Sequence, residues 1–167
     1  MKLLKEIKDQ DVGFEKKEAN LALREAARAV VFNPEGKIAL LYVASHDFYK
    51  LPGGGVEPGE YVEDALEREV LEEAGCEIEI IDELGQINEE RTHFGKLQKS
   101  YCYLAQVVGE IGEPSFTLGE IADQFELEWH SIEDAIKLAE GTDTADYLGR
   151  FVQIRLLTIL KAAKEWM

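Results

Sequence analysis

The 167-residue chain is long enough for one globular domain with a full hydrophobic core, and its 46% hydrophobic and 31% charged residues exclude a disordered tail. Acidic residues outnumber basic ones 34 to 18, for a formal charge of −16; that surface repels a phosphate backbone and argues against long DNA or RNA as a partner. Cys76 and Cys102 stand in unrelated contexts and form neither a disulfide framework nor a zinc motif, which fits a reducing, cytoplasmic setting.

Residues Met1–Leu23 are charged and weakly patterned. They show no apolar signal core, and residues 1–21 read as an extension packing onto a domain over 22–167. No apolar run in the chain approaches membrane-spanning length. Ala26–Phe32 is a short apolar run, Asn33-Pro34-Glu35-Gly36 supplies a turn, and Lys37–Val43 is a second strand, together predicting a hairpin. Phe48–Gly55 ends in Pro-Gly-Gly-Gly, where no regular structure is expected. Glu60–Ala74 lacks Gly and Pro, is rich in Glu, Leu and Ala, and is predicted helical, with Gly75 at its C-terminus. Cys76–Ile81, Tyr101–Val108 and Phe125–His130 have strand character, while Arg91–Gln98 and Gly109–Ala122 read as loops. Ser131 with Asp134 caps a helix running to about Glu140, and Tyr147–Trp166 is a longer amphipathic helix. Without regular βαβ alternation, this mixture predicts an α+β layered arrangement, a sheet between helices.

The chemistry concentrates in Gly54–Cys76. At about 100° per residue, Val62, Ala65, Leu66, Glu69, Val70 and Glu73 share one arc of a helix, with Glu72 at its edge. The inward stripe begins apolar and ends in carboxylates. Glu69 and Glu73 are a like-charged i,i+4 pair, unfavourable by roughly a few tenths of a kcal/mol even when exposed. They also lie at the helix end whose dipole disfavours negative charge. A hard divalent cation reverses these penalties, and oxygen-only ligands without His or Cys select Mg²⁺ or Mn²⁺ over zinc. By contrast Glu63, Asp64 and Glu67 fall on the opposite side of the wheel and read as solvated. Gly53-Gly54-Gly55 lets backbone approach a ligand closely.

The stretch Gly54, five residues, Glu60, seven residues, Arg68-Glu69-Val70-Leu71-Glu72-Glu73-Ala74-Gly75-Cys76 resembles the Nudix box. Every fixed position matches, with Cys76 in place of the usual Ile, Leu or Val. Leu51-Pro52-Gly53 resembles the family's lead-in, with Tyr49 where Trp is frequent. The resemblance implies the Nudix fold, a mixed sheet layered between helices, and Mg²⁺-dependent hydrolysis of a nucleoside diphosphate linked to another moiety. It implies Glu69, Glu72, Glu73 and the Gly54 carbonyl as metal ligands. Glu60 is a supporting acid at the helix start, and Arg68 an orienting ion-pair partner. The general base is then Glu69 or a distal acid, with Glu120, Asp123 and Glu126 all available. Gly53, Gly55 and Tyr49 join these acids as expected substrate contacts.

Normal or oxidised nucleoside triphosphates, ADP-ribose, NDP-sugars, dinucleoside polyphosphates and NADH all satisfy the box, and the short chain favours a MutT-like triphosphate pyrophosphatase. The competing reading is a non-catalytic Nudix-fold sensor, although such relatives lose box residues that this chain keeps. A homodimer is compatible with the residues but not demanded by them. His46, His93 and His130 are scattered and read as structural. The Leu148, Phe151, Val152, Arg155, Ile159 stripe reads as core or dimer contact.

Overall fold

The computed structural model describes Met1–Met167 and contains one mixed eight-stranded sheet. The strands are β1 (Leu3–Ile7), β2 (Ala22–Phe32), β3 (Ile38–Val43), β4 (Phe48–Lys50), β5 (Gly53–Gly55), β6 (Glu77–Arg91), β7 (Lys96–Val108) and β8 (Phe125–His130). The helices are α1 (Val62–Ala74), α2 (Leu118–Ala122), α3 (Ile132–Gly141) and α4 (Tyr147–Trp166). None is long and apolar enough to cross a membrane. The sheet order is β1-β6-β7-β2-β3-β4, with β5 added to β2 and β8 to β3.

Period-two alternation divides the core between the two sheet faces. Ala27, Ala29 and Val31 of β2 join Tyr103 and Ala105 of β7 beneath Leu66, Val70 and Ala74 of α1. Val30, Cys102 and Leu104 point the other way, into the larger cluster with Phe151, Leu156, Ile159 and Leu160 of α4 and Ala135 and Ala139 of α3. The result is the layered α+β arrangement the sequence predicts. The α4 stripe is core: Phe151, Val152, Arg155 and Ile159 are all buried within the chain.

Four expectations hold only in part. The β2–β3 hairpin meets at a single register pair, Phe32 with Ile38, while β2 runs parallel to β7 along its whole length from Ala22 to Phe32. Phe48–Gly55 is not irregular: β4 pairs with Leu41–Val43, and Gly53–Gly55 pairs with Ala26–Arg28, glycine backbone filling a space where side chains would not fit. A Cβ on Gly53, whose φ is 133°, would collide with the Ala27 carbonyl. Arg91–Gln98 is a loop only over Thr92–Gly95, a 3-10 turn and a left-handed glycine, while Arg91 and Lys96–Gln98 belong to the paired strands β6 and β7. Gly109–Ala122 ends in the short helix α2, opened by a reciprocal cap between Thr117 and Glu120.

The N-terminal segment is tied to the sheet: β1 lies parallel to β6, and the buried Asp9 carboxylate accepts hydrogen bonds from Thr92 Oγ1 and Tyr147 OH, both at 2.5 Å.

Candidate active site

Helix α1 ends on Gly75, whose φ of 68° and N–H bond to the Leu71 carbonyl (3.0 Å) close the last turn. The next loop supplies donors to carbonyls the helix leaves open: Ser115 N–H reaches Glu72 O at 2.7 Å, and Gly112 N–H reaches Gly75 O at 2.8 Å. This C-terminal turn therefore stands in a fixed relation to the sheet, and its carboxylates project beside the glycine strand β5.

Glu69 lies against Gly54 so closely that a Cβ there would collide with its carboxyl group. Arg68 organises the neighbourhood. Its Nε and Nη2 donate to Glu60 (2.9 and 3.0 Å), its Nη1 donates to Glu69 (2.8 Å), and Nη2 also reaches the Gly55 carbonyl at 3.2 Å. The Arg68 hydrogen bonds, joined by the Glu57 N–H, hold the Glu60 carboxyl down at about 2. The same pairing with Glu60 raises Arg68 above its ordinary value. Glu72 is partly exposed, and its carboxyl is pushed up by desolvation and then by the charge of Glu69, with Glu120 and Glu57 adding to the effect. This is a crowded acidic corner that a cation would relieve.

Glu73 stands apart from that corner. It is 1% exposed, accepts the Gly53 N–H at 2.8 Å and pairs with Lys50 Nζ at 2.9 Å. Burial pushes its carboxyl up and the Lys50 ammonium down, each against the pull of the other. No three His, Cys, Asp or Glu side chains stand grouped closely enough to enclose a metal. The donor set nevertheless fits Mg²⁺, which needs only one or two carboxylates and completes its shell with water and substrate phosphate. Glu69 and Glu72 lie on one turn of α1, Glu69 against the Gly54 backbone, while Glu73 is engaged by Lys50 and the Gly53 N–H.

The distal acids separate by position. Glu120 is the one whose charge Glu72 feels. Asp123 faces His46 (3.6 Å) and Ser45 Oγ (3.4 Å). Glu126 pairs in register with Tyr42, and the Tyr49 ring meets that of Tyr42 at 4.9 Å, tilted by 36°.

In front of the site lies a cleft of about 330 Å³. One wall is apolar, from Val43, Phe48, Phe125, Leu148 and Val152, the other carries Arg24, Arg28, Lys50, Arg91, Lys96 and Arg155, and the paired Asp123 and His46 complete the lining. The sequence reading missed this second wall. Its signal was present in Arg24-Glu25-Ala26-Ala27-Arg28, two cations at alternate-residue spacing that places them on one face of a strand. At the cleft floor the fully buried Glu89 accepts from Arg91 Nη2 and Arg155 Nη1, both at 2.9 Å. Arg24 Nη1 donates to Gln98 Oε1 at 2.7 Å, and Arg28 Nη1 donates to the Gly53 carbonyl.

The profile of the NUDIX domain family matches residues 22–150. The chain belongs to the Nudix family. Diphosphoinositol polyphosphate phosphohydrolase 2 of Rattus norvegicus is 34% identical to it over 135 residues, spanning 76% of this chain and 70% of that protein. The 3-beta form of Bos taurus is 33% identical over 124 residues, 70% of each chain. Among solved structures, an Ap4A hydrolase of C. elegans superimposes with a TM-score of 0.62 at 20% identity, covering 87% of this chain and 98% of the other. The MutT protein of Methanosarcina mazei Go1 gives 0.58 at 23% identity, covering 83% and 96%. These likenesses carry the fold. Family membership and the phosphohydrolase relatives make the chain a Nudix hydrolase acting on phosphorus-containing anhydrides.

Proposed function

We propose that this Nudix hydrolase cleaves the diphosphate linkage of a small, multiply phosphorylated molecule in a Mg²⁺-dependent reaction, with Mn²⁺ able to substitute. The observation that carries this reading is the pairing of the crowded Glu69–Glu72 corner with a cleft whose facing wall is cationic. Glu69, Glu72 and the Gly54 carbonyl would hold the metal, which when bound neutralises anhydride oxygens and lowers the pKa of the attacking water. Arg68, pinned by Glu60, keeps Glu69 directed at Gly54 rather than at solvent. Glu69 or Glu120 takes the proton of the attacking water as the bridging P–O bond breaks and its electron pair passes to the departing phosphate.

On the substrate, the relatives' name, diphosphoinositol polyphosphate phosphohydrolase, and the six-cation wall both favour a polyphosphorylated scaffold over the MutT-like nucleoside triphosphate preferred from chain length. Two thiols with no disulfide partner support a reducing, cytoplasmic setting.

The deciding assay incubates wild type and Glu72→Gln with diphosphoinositol polyphosphates, nucleoside triphosphates, ADP-ribose and Ap4A, with Mg²⁺ or with EDTA, and follows phosphate release and the residual product. Turnover of a diphosphoinositol compound by wild type with Mg²⁺, lost on EDTA or Glu72→Gln, is expected. Turnover of nucleotides alone would reject the substrate assignment. No metal-dependent turnover of any compound by folded protein would leave the sensor reading in place of the catalytic one.

A further inference from the structure

Six of the chain's eighteen Lys and Arg residues line one cleft in a protein of net charge −16. Four of them, Arg28, Lys50, Arg91 and Arg155, are buried or nearly so, and desolvating that many cations in one place is costly unless an anion shares the site. The internal acceptors do not supply that anion in full. Glu73 serves Lys50, Glu89 alone serves both Arg91 and Arg155, and Asp123, which also lines the cleft, faces His46 and none of the six cations. Lys96 has no ion-pair partner, and Arg24 is matched only by a neutral amide. Arg28 is 6% exposed and Arg91 7%, yet the Nε of each is buried without a hydrogen-bond partner. Buried guanidinium donors without acceptors are rare in folded proteins and mark a place for a ligand.

The opposite wall argues against a nucleobase. Phe48 is stacked by His46 at 6.0 Å, Phe125 has Lys50 Nζ over its ring at 4.8 Å, and Phe116 meets the Phe125 ring edge-on at 5.8 Å. The aromatic rings of the cleft are already engaged, so oxyanion recognition is the chemistry left to it.

We propose that Arg24, Arg28, Arg91 and Lys96 form a second oxyanion subsite, which binds a phosphate group of the substrate other than those of the hydrolysed anhydride. This rests on the phosphoanhydride-hydrolase reading and adds a requirement to it: the substrate carries phosphate on the scaffold as well as in the scissile group. Lys96 and Arg24 form the exposed rim of the subsite, and Arg28 and Arg91 its buried floor. Glu89 holds Arg91 and Arg155 in place without neutralising both.

The test uses myo-inositol hexakisphosphate, which has scaffold phosphates and no anhydride, and ADP, which has an anhydride and no scaffold phosphate. Binding of each is measured by calorimetry without divalent metal, at fixed ionic strength, for wild type, Arg24→Gln/Lys96→Gln, Arg91→Gln and Glu72→Gln. The rim variant alters only exposed side chains and keeps the test valid if Arg91→Gln fails to fold. The expected result is one hexakisphosphate per chain, bound more tightly than ADP and weakened about tenfold for each cation removed. Glu72→Gln should bind the probe at least as well as wild type while losing turnover. Absence of hexakisphosphate binding, affinity unchanged in the rim variant, or ADP bound as tightly as hexakisphosphate would each overturn the subsite. Absence of metal-dependent turnover by a wild type that still binds the hexakisphosphate would instead count against the hydrolytic reading, so the two failures are distinguishable.

Discussion

Replacing Glu89 with alanine removes the one carboxylate that faces two buried guanidinium groups. Glu89 is fully buried, and it holds Arg91 and Arg155 through hydrogen bonds of 2.9 Å each. Burial alone would raise its carboxyl, but the charges of Arg155 and Arg91 outweigh that and hold it below the usual carboxylate range. Without it two like charges remain desolvated and unpaired. Loss of one partner from a buried pair costs about 3–5 kcal/mol. For a chain of this size that corresponds to a melting temperature lower by roughly 6–20 °C.

Urea unfolding followed by circular dichroism measures the cost, with the slope against denaturant expected unchanged because the fold is the same. The pH dependence has a definite sign. A depressed carboxyl contributes stability above its unfolded value of about 4.5 and loses it as pH falls through the folded value, so the gap between wild type and Glu89→Ala should narrow on acidification below about pH 4.5. The double variant Glu89→Leu/Arg155→Leu should cost less than the sum of its single variants, since the second change removes a charge the first has orphaned. A loss under about 1 kcal/mol, or a gap that widens in acid, would refute the view that Glu89 is what makes these arginines tolerable.

Two further outcomes follow from the geometry. Gly54→Ala places a Cβ against the Glu69 carboxyl and should lower kcat on the order of 10²-fold with Mg²⁺, while the far-ultraviolet spectrum stays that of wild type; unchanged kcat would show that Glu69 need not sit there. Cys76 and Cys102 are fully buried, and burial pushes their thiols up to about 11 and about 12. At pH 8 the native protein should therefore show no thiol reactive with Ellman's reagent, and two after denaturation.

What the sequence determined by itself was local. The spacing of Gly54, Glu60, Arg68, Glu69, Glu72 and Glu73 specifies the family without any coordinates, because each position answers to a turn, a cap or one helix face. Helices α1, α3 and α4 were legible from their periodicity and caps, and Val30, Val31 and Leu40 announced their strands through apolar runs. The tertiary structure decided the rest. The second half of β6 and the first half of β7 escaped a hydrophobic reading because Glu89, Arg91, Gln98 and Ser100 are polar residues turned into the interior. A strand that lines a charged cleft does not alternate as one that lines a core. The parallel pairing of β2 with β7 joins residues more than seventy positions apart, a contact no local pattern encodes. Glu73 sits on the carboxylate stripe of α1, and the partners that hold its carboxylate, Lys50 and the Gly53 N–H, come from other elements that the helix pattern does not reveal. The cationic wall likewise exists only where β2, β4, β6, β7 and α4 converge. Apart from the Arg24 and Arg28 pair on β2, its charges are unremarkable in the sequence, and their meaning comes from their convergence in space.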